Sequence, residues 1–425
     1  MGISDMPRGL DRSTADLKAT PVQATVRTPP AALPRRLRRI LALDDFESAA
    51  RRHLPRPIFG YVSGAAETNA SLRDNRSAFE EFGFAPRVLV DVSKRTQSVE
   101  LFGRTYAAPF GIAPMGISAL SAYRGDLVLA CAAGQANIPM IMSGSSLIRL
   151  EDVVKANPAA WFQAYLPGEP DRILALLERV EKAGFGTLVL TVDTAVLANR
   201  ENNIRSGFST PLRPSLRLAW DGMIRPNWTL NTFLRTLLRH GMPHFENSHA
   251  TRGAPILAKS VMRDFGAKDH LNWHHLELIR DRWKGRLVVK GIMSREDACI
   301  ARDSGVDGIV VSNHGGRQLD GAVSPLRVLP DIADAVGAAI PVMMDGGVRR
   351  GSDVLKAIGL GATFVFVGRP FVYAAAIGGE AGVSQAISIL STEINRNMGL
   401  LGINSLEEMG PDRLITLNRV GGGQA

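Results

Sequence analysis

The residue best suited to chemistry in this chain is His314, which follows an apolar run and precedes Gly315, Gly316 and Arg317. An imidazole between a strand end and two glycines can face a cavity and exchange protons near neutral pH. Asp193, at the end of an earlier apolar run, could orient such a ring, and Arg317 and Arg200 could grip a carboxylate. Lys290 also ends an apolar run, where an ammonium is costly to bury without an anionic partner. Two later run ends, Asp345-Gly346-Gly347-Val348-Arg349 and Gly368-Arg369, combine glycines with arginines. Such glycines let backbone N–H groups approach a phosphate, and the guanidiniums supply counter-charge. The pattern points to acid–base work on an anionic substrate beside a phosphorylated ligand.

Other motifs carry less. His270 and His274 are four residues apart, but no third ligand accompanies them, so no metal centre is expected. Gly359-Leu360-Gly361 precedes an apolar run instead of following one and lacks the third glycine of a dinucleotide fingerprint.

The elements that must position these residues form a rhythm. Eight short apolar runs, at 109–113, 139–142, 161–165, 187–192, 287–290, 308–311, 341–344 and 364–367, end in polar or Gly-rich clusters. Segments of helical period lie between them, among them 171–183, 295–303 and 351–360. Alternation of this kind predicts parallel strands and a (β/α)8 barrel, which places its chemistry at the C-terminal ends of its strands. A doubly wound open sheet is the runner-up. One spacing is irregular, because 95 positions separate Val192 from Leu287. An insertion, about 205–275, must therefore follow strand 4. Its 209–252 portion carries six arginines against Asp221 and Glu246, interleaved with Trp220, Trp228, Phe233, Leu234, Leu237 and Leu238. That mixture suits either a membrane-surface element or a lid or oligomer contact with solvated arginines.

Composition bounds the rest. A chain of 425 residues that is 45% hydrophobic and 21% charged can bury a large core, which excludes wholesale disorder. Its two cysteines, Cys131 and Cys299, exclude a disulfide framework and fit a reducing compartment. The net charge is +9, but residues 1–39 hold eight Lys or Arg against three Asp. The remainder is close to neutral, so no basic stripe for nucleic acid is expected. Residues 1–39, with Pro21, Pro29, Pro30 and Pro34 and no apolar periodicity, read as a disordered basic extension, leaving 40–425 as the barrel. No apolar run approaches the roughly 18 residues of a membrane span.

The nine residues Ser312-Asn313-His314-Gly315-Gly316-Arg317-Gln318-Leu319-Asp320 resemble the signature of the FMN-dependent 2-hydroxy-acid dehydrogenase/oxidase family. Lys290-Gly291, Asp345-to-Gly351, Gly368-Arg369-Pro370, Tyr61 in Gly60-to-Ala65, Gln163-x-Tyr165 and Thr191-to-Thr194 are similar to its other motifs, in the same order. The likeness runs over about 42–410.

It implies an FMN whose phosphate is held by Arg349, Gly368 and Arg369. Ala113, Ser143, Gln163 and Thr191 would meet its ring system, Ser312 and Asp345 its ribityl chain, and Lys290 would stabilise negative charge on the reduced ring. Tyr61 and Arg317, with Arg200 nearby, would bind the substrate carboxylate, and Tyr165 the substrate oxygen. His314 would be the base and Asp193 would stabilise its imidazolium. Ser145 stands where plant-type glycolate oxidases carry Trp, and Gly116 where several oxidases carry Ala. The segments 225–230 and 239–243 look most like the membrane-associated L-lactate and (S)-mandelate dehydrogenase branch.

The resemblance therefore implies oxidation of an L-2-hydroxy acid, with a quinone or cytochrome as acceptor. It further implies a cytoplasmic enzyme, peripheral on the inner face of a membrane, and a homotetramer. An oxidase that passes electrons to O2 and gives H2O2 is the alternative, and a non-redox flavin- or phosphate-binding barrel a remote one.

Overall fold

The computed structural model describes residues 34–209, 215–258 and 268–417. Eight parallel strands lie at Phe110–Ile112, Ile141–Ser143, Trp161–Ala164, Thr187–Thr191, Arg286–Ile292, Gly308–Val311, Val342–Asp345 and Phe364–Val367, hereafter barrel strands 1 to 8. Strand 1 pairs with strand 8 (Phe366 opposite Gly111), and neighbours follow in sequence down to strand 2. A parallel bridge between Ile112 and Met140 closes the ring, with Ile112 N–H donating to the Pro139 carbonyl at 2.9 Å. The expected barrel is present.

Strands 1 to 4 and 6 to 8 are buried along their whole length. This explains why they read as continuous apolar runs without alternation. Helices such as Pro170–Ala183, Arg295–Asp303, Pro325–Val336 and Gly351–Gly359 return the chain along the outside. The first of these buries Ile173, Leu176, Leu177 and Val180, a stripe at helical spacing, and ends at Gly184 in a left-handed cap.

Inside the ring, Trp161, Val189, Val288, Val310, Met343, Phe364 and Phe366 form the core. Trp161 and Phe364 open their strands, so this core fills the N-terminal end. A hairpin, Val99–Leu101 paired with Arg104–Tyr106, seals that end. The Phe102 ring packs tilted against Trp161 at 5.6 Å, and Tyr106 meets Phe364 edge-on at 5.9 Å. Gly308 is tightly hemmed in here, since a Cβ would lie 3.0 Å from the Phe102 ring tip and 3.1 Å from the Met343 methyl, and both would have to give way. The opposite end of the barrel is left for the strand-end residues.

Two expectations concern segments outside the ring. Of the extension expected at 1–39, residues 1–33 lie outside the described residues, whereas 35–39 form a turn. Leu37 is fully buried there and packs against Gly378. Order thus begins before residue 39, because one leucine among four arginines docks on the barrel's last long helix. Strand 4 is followed by helix Glu201–Ser206, and the expected insertion after it contains helices Leu216–Met223 and Pro226–Trp228, the last continuing through 229–234 into Arg235–His240. Among the described residues, no helix is long and apolar enough to cross a membrane.

Candidate active site

A cavity of about 490 Å³ opens at the C-terminal ends of the strands. His314 enters it from the loop after strand 6 with φ +58, followed by Gly315 at +66 and Gly316 at +75. Three successive left-handed residues turn the imidazole back over the barrel mouth. Gly316 is required, because a Cβ there would sit 2.7 Å from the backbone nitrogen of Leu72. The loop is further held by a buried amide pair in which Asn75 and Asn313 exchange hydrogen bonds of 2.9 and 2.8 Å. Nothing in the local sequence marks Asn75 as part of the site.

His314 Nδ1 lies 2.9 Å from Asp193 Oδ1. Facing a carboxylate, Nδ1 carries the proton, so Nε2 presents its lone pair to the cavity. The Tyr165 hydroxyl lies 3.5 Å from that nitrogen. Burial lowers the His314 pKa, Lys290 and Arg200 lower it further, and Asp193 opposes them. Burial also works against charge on Asp193, yet the His314 ring and Lys290 hold its pKa below the ordinary carboxylate value. The pair is thus a neutral imidazole donating to an ionised carboxylate. Tyr165, raised by burial with Tyr61 and Asp193 nearby, stays a protonated phenol. Asp193 does not line the cavity but stands behind His314, and Gln318 fixes it by donating to its backbone carbonyl at 2.9 Å. Gly291, at φ +110, allows this packing, since a Cβ there would lie 2.8 Å from that of Asp193.

Beside this pair lies an anion site. Arg317 Nη1 donates to the carbonyls of Tyr61 and Gly64 at 2.7 and 2.8 Å. Its guanidinium sits 4.9 Å over the Tyr61 ring, and the residue lines the cavity. Burial pushes the Arg317 pKa down, with Arg200 and Arg369 adding to the effect. So crowded a cation calls for an anion. Arg200 also lines the cavity, but it spends two nitrogens bracing the loop, on the Arg317 carbonyl at 3.1 Å and Gln318 Oε1 at 2.6 Å. Arg349 and Arg369 are likewise buried with lowered pKa. Arg369 is pinned by the carbonyls of Val62, Gly64 and Gly315 at 2.9 to 3.0 Å.

Lys290 has a partner within the protein. Its ammonium donates to Ser312 Oγ at 2.8 Å and pairs with Asp345 Oδ2 at 3.2 Å. The sequence reading assigned its counter-charge to the reduced flavin and did not foresee the carboxylate two strands away.

The residues at the floor fit FMN. Gln163 Oε1 accepts from Ser143 Oγ and Gly144 N, both at 3.2 Å, which directs its amide NH2 away from them. Gln163 Nε2, Thr191 Oγ1 and Asp345 Oδ1 are buried without a hydrogen-bond partner among the described residues. Three such orphans on strands 3, 4 and 7 are expensive unless a polar ring and chain meet them. Ala113, Thr191, Lys290, Asp345, Arg349, Gly368 and Arg369 line the cavity, whereas Ser143, Gln163 and Ser312 stand just behind its wall. The arginines lie at its strand 7 and 8 end, with Gly346, Gly347 and the N-terminus of the helix that begins at Arg369, a fitting place for the phosphate.

A sequence profile described as FMN-dependent dehydrogenase matches residues 50–416. The chain belongs to that family. Its relatives include (S)-mandelate dehydrogenase of Pseudomonas putida, 35% identical over 88% of this chain and 93% of that protein. Another is L-lactate dehydrogenase of Caulobacter sp. strain K31, 40% identical over 87% of this chain and 97% of that one. Among solved structures, the monotopic membrane protein (S)-mandelate dehydrogenase superposes with a TM-score of 0.84 at 34% identity, covering 89% of this chain and all of that one. Family membership makes the cofactor FMN, consistent with the orphaned floor groups.

Part of the cavity was not anticipated residue by residue. Its outer wall is apolar and includes Leu120, Phe208, Phe245 and Ile256. The Phe208 ring lies 4.7 Å from that of Tyr61. Phe208, Phe245 and Ile256 sit in irregular stretches with no periodicity to reveal them.

Proposed function

We propose that the protein oxidises an L-2-hydroxy acid, L-lactate or (S)-mandelate, to the 2-keto acid and passes the electrons to a membrane quinone or cytochrome. The observation that carries this reading is the convergence of His314 Nε2, the Tyr165 hydroxyl and the Arg317 guanidinium on one cavity above the FMN floor. Arg317 and Tyr61 would take the carboxylate, which leaves the C2 hydroxyl for Tyr165 and His314. The neutral imidazole is ready to accept a proton at Nε2, and Asp193 stabilises the imidazolium that forms. The bound FMN supplies two-electron acceptance. Lys290, kept in place by Asp345, would supply positive charge to stabilise negative charge on the reduced FMN. Anaerobic addition of each acid to the yellow protein tests this reading by bleaching of the flavin band. Rapid reoxidation of the bleached protein by air would favour the O2-using alternative.

The insertion supports a peripheral membrane contact. Leu216, Trp220, Met223 and Leu238 are 92, 59, 68 and 85% exposed, on helices that also carry Arg235 and Arg239, with Arg225 between them. Apolar side chains beside arginines suit the boundary between headgroups and acyl chains, and the structural neighbour is a monotopic membrane protein. The same reading includes a homotetramer on the cytoplasmic face, tested by light scattering on the purified holoenzyme and by cell fractionation.

A further inference from the structure

Phe245 and Ile256, which form part of the cavity's apolar wall, belong to the return arm of the insertion, 241–258. This arm has little structure of its own. A single bridge joins His244 to Pro255, and Phe245 N–H donates to Ala254 and Gly253 N–H to Phe245, at 3.1 and 3.0 Å. What fixes the arm to the barrel is a clamp. Arg179, on the helix after strand 3, places Nε and Nη2 on the two oxygens of Glu151 at 2.9 and 3.1 Å. Its Nη1 then donates to the carbonyls of Glu246 and His249 at 2.8 and 3.0 Å. Asn247, wholly buried, accepts from Leu150 N–H at 2.9 Å and donates to the Ile148 carbonyl at 2.7 Å. Glu246 N–H reaches the Ser146 carbonyl at 3.1 Å, one residue from the cavity-lining Ser145. A planar fork of fixed donors can serve a carboxylate and two carbonyls at once, which an ammonium cannot. Neither Arg179 nor Asn247 lines the catalytic cavity.

We propose that Arg179 is a positioning residue for substrate choice: it holds Phe245 and Ile256 as a rigid apolar wall, so that the enzyme prefers a 2-hydroxy acid with a bulky apolar substituent over one with a methyl. The proposal rests on the 2-hydroxy-acid reading above. A pre-positioned apolar wall rewards a substituent that fills it and gains nothing from one that does not reach it. The clamp makes that wall available without the cost of ordering a loose arm at each binding event.

The test compares (S)-mandelate with L-lactate on FMN-loaded protein, native and variant, by anaerobic flavin reduction, with amide hydrogen exchange of 245–256 followed in parallel. The native enzyme should favour mandelate in kcat/KM by about tenfold or more. Arg179→Ala should raise KM for mandelate about tenfold, with a much smaller effect on lactate and on the limiting reduction rate. It should also speed exchange in 245–256 but not in the barrel strands, and Arg179→Lys should not restore the wall. Phe245→Ala, which leaves the clamp intact, should lower the mandelate preference and keep slow exchange. A native preference for lactate, an unchanged preference in Phe245→Ala, or an equal loss for both acids in Arg179→Ala would overturn the proposal. Reduction by neither acid would instead remove the reading on which it rests.

Discussion

His314 and Asp193 stand 121 residues apart in sequence and 2.9 Å apart in space, Nδ1 to Oδ1, across the ends of strands 6 and 4. The aspartate fixes the ring tautomer and leaves Nε2 with its lone pair, so in the proposed reaction the pair would act as a base with a built-in counter-charge. Replacing His314 with Ala should leave a folded, FMN-loaded protein and cost about 10²–10⁴-fold in kcat/KM. Flavin content and steady-state kinetics on the same preparation check this.

The pH dependence follows from the same pair. Because burial lowers the His314 pKa below its ordinary 6.5, the acid limb of kcat/KM should fall below that value, with activity lost as the imidazole protonates. Asp193→Asn removes the opposing charge, so the limb should move to still lower pH while the plateau falls. Stability should change in the same direction. Both pKa values are lower in the folded protein, so at these two sites the unfolded chain binds more protons and the stability the pair contributes declines as pH drops, first through His314 below about 6.5. The buried Asp126 carboxyl, pushed up to about 6, works in the opposite direction. Thermal melts between pH 7 and 4 are therefore compared for the native protein and His314→Gln. A native stability that falls no more steeply than that of the variant would contradict the assignment.

In the proposed reading, Arg317 would meet the substrate carboxylate with the part of its guanidinium not used on Tyr61 and Gly64. Arg317→Met should raise KM by roughly 10–10²-fold, the weight of one charge-assisted hydrogen bond, with a smaller loss in kcat. A loss confined to kcat would mean that the guanidinium does not hold the carboxylate in the ground state.

Lys290 and Asp345 form a buried ion pair at 3.2 Å. Lys290→Met should strand the carboxylate and destabilise the protein by about 3–5 kcal/mol, whereas the double variant with Asp345→Asn should recover much of that. Denaturant melts of the two single variants and the double variant test the coupling. FMN affinity should fall wherever Asp345 is changed.

Trp220 and Leu238 are exposed on the insertion and lie outside the cavity lining. Trp220→Gln with Leu238→Gln should weaken sedimentation with anionic vesicles while dye-linked turnover in solution stays the same. Equal vesicle binding by the native and doubly changed proteins would remove this surface from the membrane reading.

The ring of strands was legible because a strand buried on both faces is apolar at every position. Each such run is also closed by a cluster of glycines and polar residues. Only edges shifted: the run expected at 139–142 pairs as Ile141–Ser143, since Pro139 contributes a carbonyl and no N–H. The pairing of His314 with Asp193 could be read because both follow strands whose ends must converge in a closed barrel. The Lys290–Asp345 pair was missed, since strand-end side chains meet across the barrel mouth only once its stagger is fixed. Leu37 was hidden among arginines, and Phe208 and Ile256 in irregular stretches, where burial depends on tertiary contacts and leaves no local pattern.

At the centre of this reading, the cavity takes two protons and two electrons from a 2-hydroxy acid, with His314 accepting one of the protons and FMN the electrons. Anaerobic rapid mixing of the FMN-loaded protein with (S)-mandelate and with L-lactate, beside His314→Ala carrying the same flavin, tests it most directly. The account predicts that at least one acid bleaches the native flavin quickly and that the variant stays yellow over the same interval. A native flavin bleached by neither acid, or a variant bleached as fast as the native protein, would contradict it.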